Sequence, residues 1–132
     1  MALPIVCDAH YDVGMAPEPF DQVVASHTQE LRRGTTVLAC LLVLDEPRYG
    51  YALLRTLADA GLDVEAGTLY PLLRRLETQG LLESDWNTDE SRPRKFYRIT
   101  GLGARARDAL EAERLRLHAA LSALSRPTPP ED

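Results

Sequence analysis

The apolar residues of this chain recur at helical spacing over most of its length and switch to strand spacing once. Phe20, Val24, His27 or Thr28, and Leu31 line up at three and four, which predicts an amphipathic helix from Phe20. On that stripe His27 reads as a packed or half-exposed imidazole rather than a ligand, since no partner lies one turn away. Gly34 loosens the pattern. TTVLACLLVL, residues 35–44, is then apolar nearly all round, as expected of a central helix buried on most sides, and Pro47 ends it. YGYALLRTLADA, residues 49–60, turns Leu53, Leu54 and Leu57 inward and sets Gly61 just past the C-cap. From Ala66 to Gln79, Leu69, Leu72, Leu73 and Leu76 make one core-facing stripe. Thr68, Pro71, Arg74, Arg75 and Thr78 then fall on the opposite face, with Glu77 toward its flank. After Gly80 the period drops to two. LLESDW (81–86), the polar turn NTDESRP (87–93) and RKFYRIT (94–100) predict a two-stranded hairpin, with Tyr97 and Ile99 as its buried pair. Thr100 can cap a last helix running to about Ser125, and RPTPPED reads as a frayed tail.

A length of 132 residues allows one core with an added helix or tail, and an apolar share of 45% with a charged share of 27% argues against disorder throughout. The longest apolar run, Val37 to Leu44, is too short to span a bilayer, and no leader pattern opens the chain; a cytoplasmic location with no membrane contact is the expectation. Two cysteines make no disulfide framework, and Cys40 reads as a small buried hydrophobe in a reducing compartment. The first 17 or so residues lack any sustained period and read as a polar arm. Within that arm CDAHYD (7–12) offers thiol, carboxylate and imidazole donors, but its spacing matches no closed zinc pattern, so no metal is expected. Neither a Gly-rich phosphate loop nor a nucleophile, base and oxyanion set is visible, so neither a cofactor nor enzymatic activity is expected.

Charge changes the picture through its distribution. The formal net charge is −5, and residues 1–30 carry Asp8, Asp12, Glu18, Asp21 and Glu30 with no Lys or Arg, so the remainder balances to zero. An acidic protein can therefore still present a basic face. SRPRKFYRIT, residues 91–100, gathers Arg92, Arg94, Lys95 and Arg98, and Pro93 restricts the backbone between the first two.

Three helices followed by a hairpin, with two arginines outside the third helix, is the order of a winged helix-turn-helix. The expected fold is mainly α with a small β-hairpin, an N-terminal extension and a C-terminal dimerisation helix. Its segments would be 1–28 arm and helix, 29–100 DNA-binding domain, 101–125 dimerisation helix and 126–132 tail. In that geometry the third helix enters the major groove, where Arg reads guanine edges, and the hairpin tip meets phosphate.

Three blocks, YGY (49–51), GTLYPLLRRLETQGLL (67–82) and RPRKFYRIT (92–100), carry a resemblance to the PadR family of transcriptional regulators that covers about residues 30–124. Ser91 stands where that family usually has Gly, and Phe96 where it often has Tyr. Glu65 is a poor N-cap, which leaves Asp63 as the alternative, and Pro71 forfeits a backbone bond to the Gly67 carbonyl. The candidate DNA-contacting set is Thr68, Tyr70, Pro71, Arg74, Arg75, Thr78, Arg92, Arg94 and Lys95.

The resemblance implies a homodimer joined through the C-terminal helix, acting as a repressor on double-stranded DNA and released by a small-molecule effector. The sequence supports the dimer separately. Leu110, Leu117 and Leu124 repeat at seven, with Ala106 and Ala120 at the alternate positions of the repeat, Leu121 beside them and Glu113 the one polar break, leaving an apolar seam that nothing else in the chain covers. The other reading of that helix folds it back on its own domain. Family members of this subtype tend to take flat aromatic molecules between subunits; here that region holds Leu115, Leu117, His118 and Leu121 and no Trp. The alternative function is a winged-helix protein-interaction module without DNA binding.

Overall fold

Pro19 opens a helix of 25 residues, α1 (Pro19–Val43), in a computed structural model that describes residues 19–89, 91–126 and 130. The N-terminal arm with its CDAHYD cluster and most of the RPTPPED tail lie outside the described residues. Gly34 does not divide the helix: a glycine costs about 1 kcal/mol against alanine inside a helix, too little to break one with apolar periods on both sides. The chain forms two compact units, residues 1–34 and 35–132. In the described part of the first, Phe20, Val23, Val24 and Leu31 are exposed, and so is His27, which the pattern had placed on a packed stripe.

The second unit is built on leucine. Within α1 Leu38, Cys40 and Leu41 are buried, Val37, Ala39 and Val43 are half-buried and Leu42 is 47% exposed, so this stretch is covered on most sides, as its pattern predicts. Then follow β1 (Arg48–Tyr49), α2 (Gly50–Asp59), α3 (Ala66–Thr78), β2 (Leu82–Asn87), β3 (Arg94–Ile99) and α4 (Gly101–Ser125). Leu53 and Leu57 of α2 and Leu69, Leu72, Leu73 and Leu76 of α3 close on Cys40, Leu41 and Leu44, and Leu82 and Tyr97 seal the core from the sheet. Each fully buried leucine contributes on the order of 2 kcal/mol by area.

Two helices end in the same way. Gly61 (φ +98°) and Gly80 (φ +80°) take the left-handed conformation that other residues rarely adopt. Gly61 N–H donates to the Ala58 carbonyl and Leu62 N–H to that of Leu57; Gly80 and Leu81 repeat this on Glu77 and Leu76. At the start of α3 the N-cap is Glu65, with no side-chain capping bond, so Asp63 does not serve as the cap; it lies two residues too early.

The sheet has three strands, not two. Antiparallel order is β1-β3-β2, with Arg48 opposite Tyr97 and Tyr49 opposite Phe96, and with β2 paired to β3 from Leu82–Ile99 to Asn87–Arg94. A two-residue strand is too short to show any period, which hid β1 inside the pattern of α2. Tyr97 is buried and Ile99 is half-buried against the core, as the alternation predicts.

α4 leaves the sheet through a dense junction. Thr100 N–H donates to the Leu81 carbonyl (3.1 Å), Thr100 Oγ1 to the Gly80 carbonyl (2.6 Å), and Gly103 N–H to Thr100 Oγ1 (2.9 Å), which caps the helix. A Cβ on Gly103 would fall on the Leu81 carbonyl oxygen and 2.7 Å from Ile99 Cγ1, whereas one on Gly67 would meet nothing within 4 Å. Gly103→Ala should therefore lower stability by about 1–3 kcal/mol, while Gly67→Ala should raise it by up to about 1 kcal/mol, both read from denaturant midpoints.

Burial of Cys40 pushes its thiol up to about 12. A raised folded value favours the native state fully below the ordinary thiol range, and that contribution is lost as pH climbs from there toward the folded value. Stability should drop by up to about 4 kcal/mol across that alkaline window. Cys40→Ala should lack this part of the decline when unfolding is followed against pH.

Candidate nucleic-acid interface

Burial of the leucine stripe decides what α3 shows to solvent. Thr68, Pro71, Arg74, Arg75 and Thr78 are all exposed, with Glu77 half-buried on the flank. Thr78 Oγ1 donates to the Arg74 carbonyl (3.0 Å), which fixes its rotamer along the helix. Among the described residues no carboxylate lies within ion-pair distance of Arg74, Arg75 or Arg92. Tyr70 is placed differently: it is half-buried against the core, and its ring lies so close to Gly50 that a Cβ there would meet Cε1 at 2.5 Å. There it packs α3 against the start of α2.

Strand alternation sorts the hairpin cations. Ser84, Trp86, Lys95 and Tyr97 share the face turned toward α3; Glu83, Asp85, Arg94, Phe96 and Arg98 share the other. Arg98 is held by carboxylates across the ladder, Glu83 at 2.9 Å and Asp85 at 3.5 Å. Lys95 lies 3.7 Å from Glu77 and 5.4 Å from the centroid of Tyr97, while Ser84 Oγ donates to Glu77 Oε2 at 2.6 Å. Glu77 thereby ties α3 to both hairpin strands, a role that residue spacing alone did not reveal. Arg92 and Arg94 are exposed, and the Arg94 guanidinium lies 4.7 Å over the ring of Tyr49.

The seam residues of α4 divide along the helix. Ala106 is half-buried against the core of its own domain, whereas Leu110, Leu117, Ala120, Leu121 and Leu124 are exposed. Glu113, the polar break, accepts two bonds from Arg116 (2.6 and 3.0 Å), and the Arg116 guanidinium holds its carboxyl below the usual range. Arg107 anchors the base of α4 by donating to Asp45 at 3.1 Å and to Asp108 at 3.1 Å, bonds that raise its own proton affinity. Among the described residues there is no cluster of three His, Cys, Asp or Glu side chains able to hold a metal, and no helix is long and apolar enough to cross a membrane.

Three helices packed on one core, a three-stranded sheet ending in a basic hairpin, and a third helix with a cationic outer face define a winged-helix protein. The transcriptional regulator PadR-like family matches residues 37–109, and the chain belongs to that family. It is similar to a PadR family transcriptional regulator from Eggerthella lenta, with 48% identity over 83% of this chain and 98% of that one and a TM-score of 0.76. A PadR-like transcription factor from Bacteroides fragilis is 33% identical over 76% of this chain and 99% of that one, with a TM-score of 0.66. Transcriptional regulator Rv3488 of Mycobacterium tuberculosis is 42% identical over 62 residues, a match spanning 47% of this chain and 58% of that protein. The family is one of transcriptional regulators, not enzymes.

Proposed function

We propose that this regulator is a repressor that binds double-stranded DNA as a homodimer, reads a palindromic promoter site and is released by a small-molecule effector. The observation that carries DNA binding is the outer face of α3. Arg74 and Arg75 stand there with Thr68 and Thr78, and no acid interrupts the row. A bidentate guanidinium on guanine O6 and N7 is the commonest way a helix reads a major groove. Arg92 and Arg94 on the hairpin tip would meet phosphate at the same time. The dimer is supported by the exposed leucines of α4, and two-fold symmetry in the protein calls for a palindrome in the site. Release by an effector rests on family resemblance, with the region around Leu115, Leu117, His118 and Leu121 as the place for it.

Salt titration of affinity on one promoter duplex and one scrambled duplex tests the DNA reading. Arg74→Ala should cost about 1–3 kcal/mol on the promoter site alone. The Arg92→Ala, Arg94→Ala double variant should weaken both duplexes and flatten the log–log salt slope by about one unit for each phosphate it no longer neutralises. Wild-type behaviour from every variant would favour the protein-interaction module instead.

The dimer is tested by Leu117→Glu, which sets a charge in the seam. It should cost several kcal/mol by order of magnitude and give a monomer in sedimentation. A variant that sediments as a normal dimer would remove α4 as the interface.

A further inference from the structure

We propose that Glu77 is a positioning residue that restrains sequence-independent DNA binding: its carboxylate pairs with Lys95 where α3 meets the hairpin and withholds that ammonium from phosphate. The inference rests on the reading of α3 and the hairpin as the DNA-binding surface.

Glu77 stands three residues after Arg74 and one before Thr78, half-buried at the flank of the cationic row of α3. Its two oxygens have separate uses. Oε2 accepts from Ser84 Oγ of β2 at 2.6 Å, which orients the carboxylate, and Oε1 lies 3.7 Å from Lys95 Nζ of β3. Ser84 is the ladder partner of Tyr97 and Lys95 that of Trp86, so both side chains project from the sheet face turned toward α3. The ammonium also lies 5.4 Å from the centroid of the buried Tyr97 ring. Lys95 thus has two attractors within the fold, one on α3 and one on its own strand. Its side chain and that of Glu77 still keep 32% and 33% of their surface in water, so a polyanion can reach the pair.

Distance and exposure set the strength of the restraint. A charge-assisted hydrogen bond between such groups runs at about 2.7–2.9 Å. At 3.7 Å and partly in water, the Glu77–Lys95 pair is looser than that and opens at little cost. Arg98, in contrast, is bound at 2.9 Å to Glu83 on the face turned away from α3. Lysine is a compact charge on a flexible stem, so its ammonium can pass from carboxylate to phosphate without moving the strand. Binding to a duplex of any sequence is carried by cations that displace counterions from phosphate, and a cation already matched by a carboxylate adds little to it. Glu77 therefore subtracts one cation from indiscriminate binding and leaves the row of Arg74 and Arg75 as it is.

A double-mutant cycle tests the proposal, using fluorescence anisotropy with a labelled mixed-sequence duplex across a salt titration, because phosphate contact needs no known operator. Glu77→Gln keeps the shape of the side chain and an acceptor for Ser84 while removing the charge. It should tighten binding about two- to fivefold at low salt, the range for an exposed ion pair, and steepen the log–log salt slope by up to about one unit as Lys95 gains a phosphate. In a Lys95→Met background the same substitution should leave affinity within about twofold and the slope unchanged. Ser84→Ala, which leaves the carboxylate charged but no longer oriented, should give a smaller gain that also disappears with Lys95→Met. Trp86, the chain's single tryptophan and the ladder partner of Lys95, reports on the hairpin through its emission, and Ser84→Ala carries the test should Glu77→Gln shift that spectrum. Equal gains with and without Lys95 would overturn the proposal, since the carboxylate would then act on phosphate directly. Unchanged or weaker binding from both Glu77→Gln and Ser84→Ala would overturn it as well. Failure of the wild-type protein to bind the duplex would instead remove the DNA-binding reading, and the restraint with it.

Discussion

The burial of four leucines on α3 is the constraint from which the rest follows. With Leu69, Leu72, Leu73 and Leu76 locked against α1 and α2, a rotation of the helix by one residue would drive about 100° of polar surface into the core. The outward face is therefore as fixed as the inward one. Arg74 and Arg75 need no partner to be presented correctly, because the leucines present them. Tyr70 joins the same constraint at the flank, its ring filling the space that Gly50 leaves.

The hairpin is fixed by different means, since a two-faced sheet edge offers little core. Leu82 and Tyr97 enter the interior, and beyond them polar contacts take over: Glu77 reaches from α3 to Ser84 and Lys95 on one face, while Arg98 with Glu83 and Asp85 binds the strands on the other. These pairs are substantially exposed, so each is worth a fraction of a kcal/mol. Their weight lies in geometry. They tie Lys95 and Arg98 into the fold, while Arg92 and Arg94 stand exposed nearer the hairpin tip. Four cations that look alike in the sequence thus separate into two kinds.

That separation marks where sequence reading ends. The boundaries of α3 and α4, the glycine that follows α2, the Thr100 cap and the hairpin were legible, because each is written in local periodicity or in the conformational preference of one residue. The third strand was not, having two residues and no period. Nor were the contacts of Tyr49, since its partners Asn87 and Phe96 lie far along the chain and meet it only once the sheet closes. A tyrosine directly after Pro47 and Arg48, ahead of a helix, was the one available signal. Among the candidate contacts, Lys95 and Tyr70 were legible as to type and not as to surroundings: a carboxylate two elements away and a glycine one helix away determine what they touch.

α4 shows the complementary case, in which the chain leaves its apolar surface unanswered. Its base is tied down by Thr100, by Gly103 against Leu81 and by Arg107 to Asp45, and Ala106 still packs on the home core. Past Leu110 the leucines stand in the open, and the acids along the way are matched within the helix, Glu111 by Arg114 and Glu113 by Arg116. Pairing each acid three residues from its base lowers the electrostatic resistance of this surface to a second apolar one. A helix anchored at one end, apolar along its free length and with its acids paired within it exposes a surface that its own domain does not cover.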